Sequence, residues 1–148
     1  MNTGKNLLTA AAMLSFAVAL LHLIVILWGA DGYRYFGAGE EMASMDESGS
    51  FIPDLLTLFI TLVFALFGLY ALSGAHRMKR LPGIKGVLIF ISAIYTLRGL
   101  GALADIVMIV NMPQYPVRML YFSLVSLITG LCYLLGTIKN WRSLAPVS

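Results

Sequence analysis

The chain has 148 residues, 59% of them hydrophobic and only 11% charged, with a net charge of +3. A soluble domain carries about 25% charged residues, so this composition excludes an ordinary water-soluble fold and gives no reason to expect a nucleic-acid partner. The single cysteine, Cys132, excludes an intramolecular disulfide and a cysteine-based metal site.

The apolar residues fall into four runs, roughly 7–29, 52–75, 84–110 and 117–138. Each is about 20 residues or longer, enough to cross about 30 Å of hydrocarbon as a helix. Helix is the state that satisfies a spanning backbone internally, and the runs lack the apolar–polar alternation of a membrane β-barrel. The expected fold is an all-α transmembrane four-helix bundle, one membrane domain over 1–148. The first run follows Lys5 but is longer than the h-region of a signal peptide, and no small-x-small cleavage site follows it. It is read as a retained helix.

Charge sets an expected orientation. Lys5 precedes the first run, and the second connection carries Arg77, Lys79, Arg80 and Lys85. Lys139 and Arg142 follow the fourth run. Four alternating helices put all of these on one side, which the positive-inside rule makes the cytoplasm, with both termini there. The outer loop, 30–51, holds Asp31, Glu40, Glu41, Asp46 and Glu47 against Arg34. Trp28, Tyr33, Tyr35, Phe36, Tyr115 and Trp141 stand near the membrane edges, where amphipathic rings are favoured. Tyr33 to Phe36 are expected on the membrane surface. Glu40 to Met45 are expected as a short interfacial helix with Met42 and Met45 toward lipid.

Lipid gives no hydrophobic drive between helices, so contact faces favour small residues. The stripes are Ala11, Ser15, Ala19 and His22; Thr57, Thr61, Ala65 and Gly68; Arg98, Gly101, Ala102 and Asp105; and Ser123, Ser126 and Gly130. They turn His22, Arg98 and Asp105, the ionisable residues inside the spans, toward the bundle interior. Such residues are costly in hydrocarbon and are kept when paired or useful. Arg98 and Asp105 are seven positions apart, about 10 Å along the axis, so each is expected to find its partner on another helix. His22 and Asp105 lie at similar depth near the outer face, with Ser123 and Thr57 or Thr61 beside them. One reading is an outward-facing pocket formed by His22, Arg34, Glu40, Arg98, Asp105 and Ser123; the other is a set of polar contacts that fix helix register. Arg34 with Glu40 or Glu41 is expected to cap the outer end. No phosphate loop, HExxH, nucleophile elbow or Ser/His/Asp set occurs, and neither cofactor nor metal is expected.

The segments Tyr33-Arg34-Tyr35-Phe36-Gly37-Ala38-Gly39-Glu40, Tyr70-Ala71-Leu72-Ser73-Gly74-Ala75, Leu81-Pro82 and Leu97-Arg98-Gly99-Leu100 resemble those of a group of small proteobacterial inner-membrane proteins. The resemblance covers most of the chain. It implies a multi-pass four-helix protein of the bacterial inner membrane and carries no assigned activity. The small multidrug exporters rely on a glutamate in the first helix, and the quinone-coupled disulfide enzymes on cysteine pairs; neither feature is present. Three functions remain open. The chain is a non-enzymatic membrane component, as a homo-oligomer or within a larger complex; or a transporter or lipophilic-ligand binder using the outward pocket; or an enzyme acting on a lipid or isoprenoid.

Overall fold

A computed structural model describes residues 3–144; the chain ends, 1–2 and 145–148, lie outside the described residues. Six helices follow in order: α1 (Thr3–Trp28), α2 (Ala30–Phe36), α3 (Glu40–Glu47), α4 (Ile52–Gly74), α5 (Ile84–Asn111) and α6 (Arg118–Asn140). The fold is all-α, with no strand among the described residues. Helices α1, α4, α5 and α6 are long and apolar enough to cross a membrane. In the most apolar stretch of each, at most 33% of the residues are buried. The remaining apolar surface, including Leu27, Leu55, Phe59, Leu62, Leu97 and Val110, far exceeds what a water-exposed monomer tolerates and suits hydrocarbon contact.

The chain divides into two compact units. One comprises the chain up to Leu14 together with everything from Phe67 onward; the other is Ser15–Leu66. In the first unit, α5 and α6 cross at very short range. A Cβ placed on Gly99 would lie 2.5 Å from the Leu127 backbone, and one on Gly130 would lie 2.7 Å from the Thr96 backbone nitrogen. Ser92 Oγ donates to the Gly130 carbonyl across this crossing (3.1 Å). Small residues permit the approach, as expected where lipid supplies no drive and dispersion must. The rings of Tyr95 and Tyr133 stack at 5.7 Å, and the Tyr133 hydroxyl donates to the Phe67 carbonyl on α4 (2.8 Å).

This crossing corrects the stripe expected on α5. The buried line runs through Leu88, Ile91, Ser92, Tyr95, Gly99, Ala102 and Asp105. Arg98 is exposed rather than inward, and Gly101 makes no close helix contact. The reason is angular: once Gly99 faces α6, the residue before it is rotated about 100° away. On α6 the small residues Ser123 and Gly130 are buried as expected, and Thr129, Tyr133, Gly136, Thr137 and Asn140 extend the same face.

The basic end of this unit is held by polar ties. Asn140 Nδ2 donates to the Gly74 carbonyl (2.9 Å), one of the carbonyls that the end of α4 leaves without a helical partner. Ser143 Oγ pairs with His76 (3.2 Å). Gly4 packs on α6, where an added Cβ would meet that of Lys139 at 3.1 Å. The start of α1, the end of α4, the start of α5 and the end of α6 therefore share one end, as an alternating arrangement requires.

In the second unit, the line Ser15 and Ala19 on α1 and Thr57 and Thr61 on α4 is buried, as expected. The outer loop is more structured than expected. Gly29, at φ 71° and ψ −145°, takes a positive-φ conformation open to glycine that ends α1 and lets α2 turn back. Residues α2 and α3 then share a core of Val25, Tyr33 and Ala43, with Leu21, Ala30, Phe36 and Met42 packed against it. Tyr33 is fully buried and Met42 is turned into this core. Neither lies where the amphipathic-surface reading placed it, because two helices this short bury their apolar faces by folding onto α1. Met45 is half-buried. Trp28 and Tyr35 stay exposed, with ring centroids 5.4 Å apart, as interface anchors do.

Candidate functional site

The main polar cluster joins α5, the connection after it, and α6. Asp105 is 8% exposed. Its Oδ1 accepts from the Tyr115 hydroxyl (2.6 Å) and its Oδ2 from Ser123 Oγ (2.5 Å). Ser123 Oγ in turn accepts from Arg98 Nη1 (2.7 Å). A chain of hydrogen bonds thus runs Tyr115–Asp105–Ser123–Arg98, with a carboxylate compensated by two hydroxyls and, through one of them, by a guanidinium. The expectation that Arg98 and Asp105 use another helix holds in this form: Ser123 of α6 bridges two residues of α5.

Gly101 lies beside the bridge and leaves room for it. An added Cβ there would lie 3.5 Å from Arg98 Nη1 and 3.6 Å from Ser123 Oγ. The guanidinium therefore lies along the helix beside Gly101, toward the Asp105 end, against the usual lean of helical side chains toward the N-terminus. Tyr115 was legible only as an interface aromatic. Its hydroxyl holds its proton above the usual phenol range, first because it donates to the Asp105 carboxylate and then through burial.

The second cluster belongs to the outer loop. Arg34 makes a bidentate pair with Glu40, Nη2 to Oε1 at 2.6 Å and Nε to Oε2 at 2.9 Å. Its Nη1 donates to Glu47 Oε1 at 2.7 Å. The expected Arg34–Glu40 pair forms. Glu47, two turns beyond Glu40 on α3, is the partner that the sequence reading does not include, although positions seven apart share a face. These bonds hold the Glu40 and Glu47 carboxyls below the usual range and push the Arg34 guanidinium up. Carboxyls lowered on folding stabilise at pH above their unfolded values, about 4.3, and that contribution fades as pH falls through the folded ones. Amide exchange in α2 and α3, corrected for its intrinsic rate, is expected to quicken as the pH falls below about 4.3, and to quicken at neutral pH in high salt. R34Q should remove both dependences.

A buried anchor fixes the same loop. The Tyr33 hydroxyl donates to Asp54 Oδ1 in the first turn of α4 (2.9 Å). Burial and the Asp54 charge outweigh a bond with Thr57 and push Tyr33 up to about 12. Only the pairing of a tyrosine with the one acid at the start of the second span signals this contact in the sequence.

His22 is half-buried. Its Nδ1 bonds the Val18 carbonyl (2.8 Å), and its ring lies 5.1 Å from that of Phe64. Of the six expected site residues, the structure therefore joins Arg98, Asp105 and Ser123 in one network and Arg34 with Glu40 in another, and gives His22 a local partner. Among the described residues, no three His, Cys, Asp or Glu side chains group as a metal ion requires. Comparison with family models, with curated proteins and with solved structures finds no match.

Proposed function

We propose that this chain is a multi-pass protein of the bacterial inner membrane, with both ends in the cytoplasm, and that it acts as a non-enzymatic component of a membrane assembly, by self-association or beside another subunit. The orientation is supported by the basic end, which gathers Lys5, Arg77, Lys79, Arg80, Lys85, Lys139 and Arg142, while every acid of the chain lies in 31–54 or at Asp105. The positive-inside rule puts such an end in the cytoplasm.

One observation carries the assembly reading. Arg98 lies at the midpoint of the 28-residue α5, about 21 Å from either end, and it is exposed among Leu97 and Leu100. Its guanidinium reaches from there toward Gly101 and Ser123, still inside the span, where a cation facing lipid costs up to about 2.5–3.5 kcal/mol, the value at the helix centre, even on the mildest scale. Arg98 bonds Ser123 through Nη1 and is exposed along its side chain. A protein surface laid over this face would supply acceptors that lipid tails lack. The partners of His22, Arg34 and Asp105 are groups of their own units, which favours a structural role over a convergent catalytic set.

A second reading, an outward-facing ligand binder or transporter, draws on the hydrogen-bond chain from Tyr115 inward to Arg98. One measurement separates the two. Native mass spectrometry of the protein released from nanodiscs should give a defined oligomer or a stoichiometric partner, and R98L should shift it toward monomer. A monomer carrying a small molecule other than phospholipid would favour the second reading. A bare monomer would overturn both.

A further inference from the structure

A groove of about 540 Å³ opens at the basic end, lined by Arg80, Leu81, Pro82, the first turn of α5 from Gly83 to Gly86, and Leu144. Two cations flank it, and both are held in place. The Arg80 guanidinium donates to the Leu144 carbonyl. The Lys85 ammonium sits 4.5 Å from the centre of the Trp141 ring. Between them the backbone N–H groups of Ile84, Lys85 and Gly86 precede the first helical bond of α5, which runs from Val87 to the Gly83 carbonyl (3.0 Å). No side chain caps them, and an added Cβ on Gly86 would meet nothing within 4 Å. The groove thus combines fixed positive charge with backbone donors open to approach.

Its surroundings choose among anions. It lies at the end of a membrane-length helix, beside Trp141, a residue type enriched where headgroups sit. Ile89 and Phe90, one to two turns further along α5, are exposed and apolar, a surface suited to acyl chains. No Asp or Glu side chain occurs between Asp54 and Asp105 or after Asp105. Basic pockets at the cytoplasmic ends of membrane helices suit anionic headgroups in charge and size.

We propose that this groove binds the phosphate of an anionic phospholipid, with Arg80 and Lys85 as charge partners and the start of α5 as hydrogen-bond donor. The binding itself does not depend on the proposed assembly; only the choice of leaflet rests on the proposed orientation. The test uses the full chain in neutral detergent, with bound lipid counted by native mass spectrometry during titration with phosphatidylglycerol, phosphatidylcholine, glycerol 3-phosphate or inorganic phosphate. Phosphatidylglycerol is expected to bind in preference to phosphatidylcholine, and the two water-soluble phosphates weakly. R80Q/K85Q should lower phosphatidylglycerol affinity about tenfold or more, since each substitution removes a direct charge-assisted contact to the phosphate, the loss of either being worth about tenfold or more. R77Q/K79Q removes the same charge outside the groove, where solvent and salt screen it, and should change affinity less than about threefold. Equal losses in the two double variants would mean diffuse attraction and overturn the site. Equal binding of phosphatidylcholine, or of inorganic phosphate, would overturn the lipid assignment. Circular dichroism of both variants confirms that each remains folded, and a groove variant that unfolds is replaced by R80K/K85R, which must retain the preference.

Discussion

G99A is expected to destabilise the protein by about 3 kcal/mol or more, at the upper end of overpacking costs. The added carbon would stand 2.5 Å from Cα and N of Leu127 and 2.6 Å from its Cβ. A flexible side chain can move aside from such a contact; a helix backbone cannot, so α5 and α6 must separate. Separation also strains the Ser92–Gly130 bond and the dispersion contacts that hold helices together in lipid. Alanine favours helix over glycine by about 1 kcal/mol, which offsets only part of the loss. G86A is the control, because that position, in the first turn of α5, has open space. Reversible unfolding in mixed micelles should show G99A well below wild type and G86A at or above it. Matching stabilities for the two variants would mean that the α5–α6 crossing is not as close as described.

D105A is expected to cost about 3 kcal/mol, the scale for breaking a buried charged network by removing one member. It strands the Tyr115 and Ser123 hydroxyls and leaves Arg98 without its bridged counter-charge. D105N should cost about 1 kcal/mol, the scale of one hydrogen bond. Its carbonyl still accepts from Tyr115, and its amide can donate to a rotated Ser123 hydroxyl. A double-mutant cycle of D105A with R98L then isolates the link between the charges. The double variant should be more stable than the sum of the single losses implies, by at least about 0.5 kcal/mol. Strict additivity would show that Ser123 carries no coupling between Arg98 and Asp105, and the network would reduce to two separate hydrogen bonds.

The two variants probe parts of the molecule that were unequally legible in the sequence. Asp105 and Ser123 were both singled out, because an acid and a serine inside apolar helices at similar depth invite a contact. Tyr115 was not, because a tyrosine at a membrane edge is favoured there whether or not it bonds anything. Gly99 was passed over for Gly101, although both are glycines on the same helix. A helix in lipid is apolar on nearly every face, so its own residues do not say which face meets protein. That choice moved Arg98 from an expected interior position to an exposed one. The outer loop shows the same limit. The charges of Arg34 and Glu40 announced their pairing, while the burial of Tyr33 and Met42 depended on α1 offering Val25 and Leu21.

By itself the sequence determined the four membrane-length helices and the concentration of cations at alternate connections, because hydrocarbon thickness and backbone satisfaction leave one solution for such runs. Only the tertiary structure decided which faces touch, because in lipid that depends on steric fit between partners. The same fit fixed the bridge from Arg98 through Ser123 to Asp105 and gathered Arg80, Lys85 and the start of α5 around one groove.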